Sequence, residues 1–168
     1  MRRQIFGFSL IELLLAIILL SLLFGLVFTF LRLSKIAERQ RDALRLADLT
    51  TMVVAIESYV TDFGQPPDFA DTTRRSDQAS GTASSPRNAD GTGWIVADLR
   101  PYISQLRVDP LNINLEGKDF IYRYRHDGKR YKLDTILEAE TRLMENKVDG
   151  GIDDNHYEVG TGKYIVID

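Results

Sequence analysis

The sequence predicts an α+β chain. One long N-terminal α-helix, apolar in its first half and amphipathic in its second, packs against a small antiparallel β-sheet head. Three observations lead there. Nineteen uncharged residues, LLLAIILLSLLFGLVFTFL, run from Leu13 to Leu31, enough to cross a bilayer as a helix. Beyond them Leu46, Leu49, Val53, Ile56, Val60 and Phe63 recur every three or four residues, the period of a single helix face. Further on, FIYRYR and RYKLDTIL flank a His126-Asp127-Gly128 turn, and their alternation has the period of two that marks a hairpin.

The helix is expected to be continuous, because no proline occurs between Phe8 and Asp62. At 1.5 Å per residue it would extend for roughly 80 Å. Residues 8–33 form its transmembrane half and 34–64 its amphipathic half. Gly64 is placed as the C-cap, with Pro66 and Pro67 beyond it to prevent continuation. The head then occupies 65–168. Within it, residues 68–93 are rich in Ser, Thr, Gly and Asp and read as a long mobile surface loop, whose hydroxyls could accept O-linked sugars. The spacing of Leu99, Tyr102, Ile103 and Leu106 predicts a short helix bent at Pro101. Tyr131, Leu133, Thr135 and Leu137 share one strand face, 138–146 is read as a short helix, and Tyr164–Ile167 as a final strand.

Composition narrows the function classes. The 168 residues carry a net charge of −3, which gives no whole-chain reason to expect nucleic acid. The absence of cysteine excludes disulfides and thiolate metal sites. Two histidines are too few for an all-histidine zinc centre. His126 sits in a turn and His156 in a loop with no nucleophile pattern near either, and Gly160-Thr161-Gly162-Lys163 precedes a strand rather than the helix a phosphate loop requires. No enzyme is predicted.

One residue resists the plain reading of the apolar segment. Glu12 lies within GFSLIELLLAI, where an ionised carboxylate in hydrocarbon costs several kcal/mol unless it finds a partner. Arg2 and Arg3 precede the segment. The apolar run is too long for the core of a secretory signal peptide, and no A-x-A site follows it. Gly7-Phe8-Ser9-Leu10-Ile11-Glu12, with the basic residues ahead and the apolar run behind, resembles the class III signal of type IV pilins and type II secretion pseudopilins. The resemblance implies a leader of residues 1–7, cut after Gly7 by a prepilin peptidase, and N-methylation of the new terminus at Phe8. Glu12 would then balance that terminal cation, in a neighbouring subunit or its own, and set the register of a helical filament. The alternative for Glu12 is a side chain that snorkels to the membrane interface.

A weaker resemblance extends into the head. Tyr59-Val60-Thr61-Asp62-Phe63-Gly64-Gln65-Pro66-Pro67, the Tyr131-Lys132-Leu133 strand and the loop Asp149-Gly150-Gly151-Ile152-Asp153-Asp154-Asn155 are similar to the corresponding parts of cysteine-free pilins and major pseudopilins. In that group the C-terminal loop often holds calcium. Asp149, Asp153, Asp154 and Asn155, with Glu158 as a further ligand, offer the hard oxygens Ca2+ takes, although the same residues are ordinary turn formers. Arg123, Arg125, Lys129 and Arg130, interleaved with Tyr122, Tyr124 and Tyr131, suit phosphate and base contacts, or else form a solvated strand face. The chain departs from many pilins in having Gly25 rather than a proline in the apolar helix, and no disulfide.

The implied function is that of a structural subunit of a type IV pilus or a type II secretion pseudopilus. It would hold one span in the inner membrane before assembly and become part of an extracellular or periplasmic filament afterwards. Its partners would be further copies of itself, the peptidase, the inner-membrane assembly platform and minor pilins. Two alternatives stand beside it: a DNA-binding competence or minor tip subunit, and an uncleaved single-pass anchored binding module.

Overall fold

The computed structural model describes residues 9–81 and 84–167. The chain divides into two compact units, one ending at Glu38 and one covering Arg39–Asp168. Helix α1, Leu10–Phe63, supplies the described structure of the first unit and the opening element of the second.

Among the described residues of the first unit the large apolar side chains are exposed, with Leu10 at 83 %, Phe24 at 70 % and Phe30 at 74 %. The polar residues among them are satisfied locally. Ser21 donates to the Ile18 carbonyl at 2.9 Å and Thr29 to that of Gly25 at 2.8 Å, so neither hydroxyl needs water. The helix is long and apolar enough to cross a membrane, where every backbone polar group must find its partner within the segment.

In the second unit α1 meets a four-stranded antiparallel sheet of order β1-β4-β5-β6. Its strands are β1 (Arg74–Arg75), β4 (Arg123–His126), β5 (Tyr131–Thr135) and β6 (Tyr157–Val159). A separate hairpin pairs β2 (Ile113–Leu115) with β3 (Lys118–Phe120). The helix presents Leu49, Met52, Ala55 and Ile56 to a core completed by Trp94, Ile95, Leu99, Leu106, Tyr122, Tyr124, Tyr131 and Leu133. This face is rotated from the expected stripe. Met52 and Ala55 are fully buried, whereas Phe63 is 60 % exposed. The helix stops where the sequence placed its end: Gly64 has φ +73°, a left-handed geometry that costs glycine little, and its amide donates to the Val60 carbonyl at 2.7 Å.

The predicted hairpin is present as β4 and β5, in the register Tyr124 with Leu133 and His126 with Tyr131. Asp127 organises its turn by accepting the amides of Lys129 and Arg130. These bonds, the Arg130 amide foremost, hold its carboxyl down at about 2.

Four expectations for the head differ from what is found. Leu99, Ile103 and Leu106 are buried as a helix face would be, but the segment forms turns, with the amides of Tyr102 and Ile103 both donating to the Leu99 carbonyl. Pro101 has no amide to donate and disfavours helical geometry at Arg100. The stretch 68–93, read as loop throughout, contributes strand β1, in register with Tyr124 and Arg123. Asp68 anchors it, accepting two bonds from Arg74 and one from the Val96 amide at 2.8 Å. The last strand is Tyr157–Val159, not Tyr164–Ile167. Val159 pairs with Leu133, and the chain turns at Gly160, leaving Tyr164 at 73 % and Val166 at 60 % exposure. The helix expected over 138–146 is a 3-10 turn at Glu140–Arg142 followed by α2, Leu143–Val148.

Candidate functional site

Helix α1 begins with a reciprocal cap. The Ser9 amide donates to Glu12 Oε2 at 2.9 Å and the Ser9 hydroxyl to the same oxygen at 3.0 Å. The Glu12 amide returns a bond to Ser9 Oγ at 3.3 Å. This is the capping-box pattern of a serine followed three residues later by glutamate, which satisfies amides that the helix itself leaves unpaired. Sequence reasoning did not single out this cap, although a serine three residues before a glutamate is the signal that could have found it. One carboxylate oxygen, Oε2, is therefore committed locally, so Glu12 has a partner before any other chain arrives. Gly7 and Phe8, the residues on either side of the expected cleavage point, lie outside the described residues.

The expected cation ligands of the C-terminal loop have different surroundings. Asp149 accepts the Gly151 amide at 2.7 Å and the Glu158 amide at 2.7 Å, and its carbonyl accepts from Lys163 Nζ. Asp153 accepts the Asn155 amide and pairs with His156 Nδ1 at 2.6 Å. Asp154 and Asn155 line a separate groove of about 470 Å³ together with Leu137, Met144 and Lys147. Glu158 is fully buried. Its Oε2 accepts the amides of Ile152 and Asp153, and its Oε1 meets Lys132 Nζ at 2.5 Å. Among the described residues no three acidic or histidine side chains gather as a metal-holding group.

Gly151 fits this loop for a steric reason. A Cβ there would stand 1.5 Å from Glu158 Oε2, so even alanine forces the buried carboxylate aside. Gly151→Ala is expected to destabilise the head by about 1–3 kcal/mol, the usual cost of overpacking. Urea denaturation followed by the fluorescence of Trp94, the sole tryptophan, measures it.

The basic segment is paired rather than open. Arg123 makes a two-pronged bond to buried Asp134 at 2.8 and 2.9 Å. Arg125 contacts Thr73 and Asp71, and Arg130 grips Asp127. Lys129 is exposed. Tyr122, Tyr124 and Tyr131 are buried in the core, which removes their rings from any stacking surface.

Sequence reasoning missed a buried ionic cluster at the foot of the head. Arg45 is completely buried. It binds Asp109 at 2.6 and 3.0 Å, Asp42 at 2.7 Å and Glu138 at 2.6 Å. Asp42 also accepts the amides of Glu138 and Ala139, and Arg41 holds Glu138 from its other side. The only sequence signal is the charged turn Arg41-Asp42-Arg45, which looks the same on a solvated helix. Burial works against the ionised Glu138, but its bonds to Arg41 and Arg45 outweigh that and keep its carboxyl below the ordinary value.

Residues 2–28 match the prokaryotic N-terminal methylation motif. A search of curated proteins found no match for the chain, and a search of solved structures found none.

Proposed function

We propose that this chain, which carries at residues 2–28 the class III signal of type IV pilins and pseudopilins, is a structural subunit of a pilus or of a type II secretion pseudopilus. One observation carries the reading. The methylation motif overlaps the N-terminal part of α1, where the large apolar side chains from Leu10 to Phe30 are exposed and the first turn holds a single carboxylate. Such a surface needs either lipid or other apolar helices around it. A subunit that waits in the membrane and is then drawn into a bundle of like helices exchanges one cover for the other, and the apolar face never meets water.

Glu12 gives that exchange its specificity. Removal of residues 1–7 by a prepilin peptidase leaves an α-amino cation at Phe8. In a bundle of helices the cation is buried and requires a counter-charge. Ser9 holds Oε2 of Glu12 and no bond to Oε1 is found among the described residues, which leaves that oxygen for the terminal amine, so a helix that slips along its neighbour loses the pair. Leucine and isoleucine contacts alone specify no axial register, whereas a buried polar pair does.

Mass spectrometry of the N-terminal peptide from sheared surface material tests the reading. The expected peptide starts at Phe8 and is heavier by one methyl group. A chain that begins at Met1 in that fraction refutes the filament-subunit function and favours an anchored, uncleaved protein.

A further inference from the structure

The face of β5 opposite the hydrophobic core is ionic, and it is buried all the same. Lys132 and Asp134 alternate with Tyr131, Leu133 and Thr135, yet all five residues of the strand are buried. Across the sheet Asp134 stands in register with Arg123 on β4 and with Glu158 on β6. Two cations and two carboxylates therefore share one covered patch: Arg123 with Asp134, and Lys132 with Glu158. The Lys132 ammonium also lies 3.9 Å from Asp134. The segment 149–155 is tied to this patch through Glu158 Oε2, which accepts the Ile152 and Asp153 amides.

A divalent cation bound within this loop would draw on the same oxygens. Calcium takes six to eight oxygen ligands at about 2.3–2.6 Å. Here the oxygens of Asp149 and Glu158 are already occupied by N–H donors, two of them lysine ammonium groups. The patch is neutral as it stands. A dication taking Glu158 as a ligand would be set against the Lys132 ammonium inside this buried pair, which is unfavourable.

We propose that the 149–155 loop is closed by two of the protein's own ammonium groups, Lys132 on Glu158 and Lys163 on the Asp149 carbonyl, in the role a divalent cation would otherwise fill. The head then keeps its fold in the absence of calcium. Lys132 acts as a tethered cation: it is always present at its site and cannot be removed by a chelator. A filament built from such heads does not depend on the calcium level outside the cell.

The test uses the full chain in detergent micelles, with Trp94 fluorescence reporting thermal unfolding in calcium chloride and in EDTA. The expected difference in Tm is under about 1 °C, whereas a cation bound well above its Kd shifts Tm by several degrees. A saturable rise in Tm with calcium overturns the proposal. Lys132→Met, Glu158→Gln and the double variant are compared under both conditions. Each single change is expected to lower Tm, and the double change is expected to lower it by clearly less than the two combined, because the charges balance each other. Additive losses overturn the assignment to Lys132 even if calcium has no effect. Where a single variant does not fold, the wild-type titration still tests the head's independence of calcium, and a saturable rise in Tm overturns the proposal.

Discussion

Arg45→Met is expected to remove about 3–5 kcal/mol from the stability of the Arg39–Asp168 unit, the cost of breaking a buried ion pair from one side. Methionine keeps much of the apolar stem but leaves Asp42, Asp109 and Glu138 facing one another with their common partner gone. Domain stabilities are only about 5–15 kcal/mol, so this one change consumes a large share of the total. Urea denaturation of the full chain in micelles, read by Trp94, gives the value, and a loss below about 1 kcal/mol would show that the cluster is held by packing rather than by charge. Acid should act in the same direction. Glu138 has its carboxyl held below the ordinary 4.5, so its pairing supports the fold above that pH. The contribution is lost as pH falls from there through the lowered value. In Arg45→Met this part of the acid dependence should be reduced.

Glu12→Leu is expected to abolish incorporation into filaments while leaving the subunit in the membrane. The change removes a carboxylate from the apolar segment. On insertion scales a charge at a span's centre costs roughly 2.5–3.5 kcal/mol, so the variant should insert at least as readily as the wild type. A loss of assembly therefore cannot be attributed to poor insertion. What disappears is the counter-charge for the Phe8 amine, and with it the register of neighbouring helices. Immunoblots of sheared surface and membrane fractions should show the variant shifted to the membrane by at least about tenfold, which corresponds to about 1.4 kcal/mol. Wild-type levels in the surface fraction would mean that apolar packing alone directs assembly. Glu12→Gln separates charge from shape. It keeps an oxygen for the Ser9 cap but supplies no charge, and it should assemble as poorly as the leucine variant.

The long helix was legible because its signals are local and redundant. The period of its apolar residues, the absence of proline and the Gly64-Gln65-Pro66-Pro67 stop all point to the same ends. The β4–β5 hairpin was legible for the same reason, since alternation and an Asp127-Gly128 turn lie within a dozen residues. Strand β1 was not. Arg74 and Arg75 have no apolar pattern, and their strand exists because Asp68 and the exposed edge of β4 hold them there. The final strand was misplaced because Tyr164-Ile165-Val166-Ile167 has the stronger strand composition. Tyr157–Val159 pairs with β5 instead, with Glu158 reaching Lys132 and Val159 facing Leu133.

The candidate site shows the same division. By itself the sequence determined the N-terminal motif and the membrane-length helix, because each depends on neighbours close along the chain. Only the tertiary structure decided which charges are buried. In the sequence Glu158 reads as a calcium ligand and nothing marks Arg45, Lys132 or Asp134 as buried, and the partners lie 26 positions apart for Lys132–Glu158 and 93 for Arg45–Glu138. Charge carries no short-range periodicity that distinguishes a solvated face from a covered one. Its meaning depends on what the fold lays over it, here the 149–155 loop on the far face of β5 and residues 109 and 138 against the side of α1.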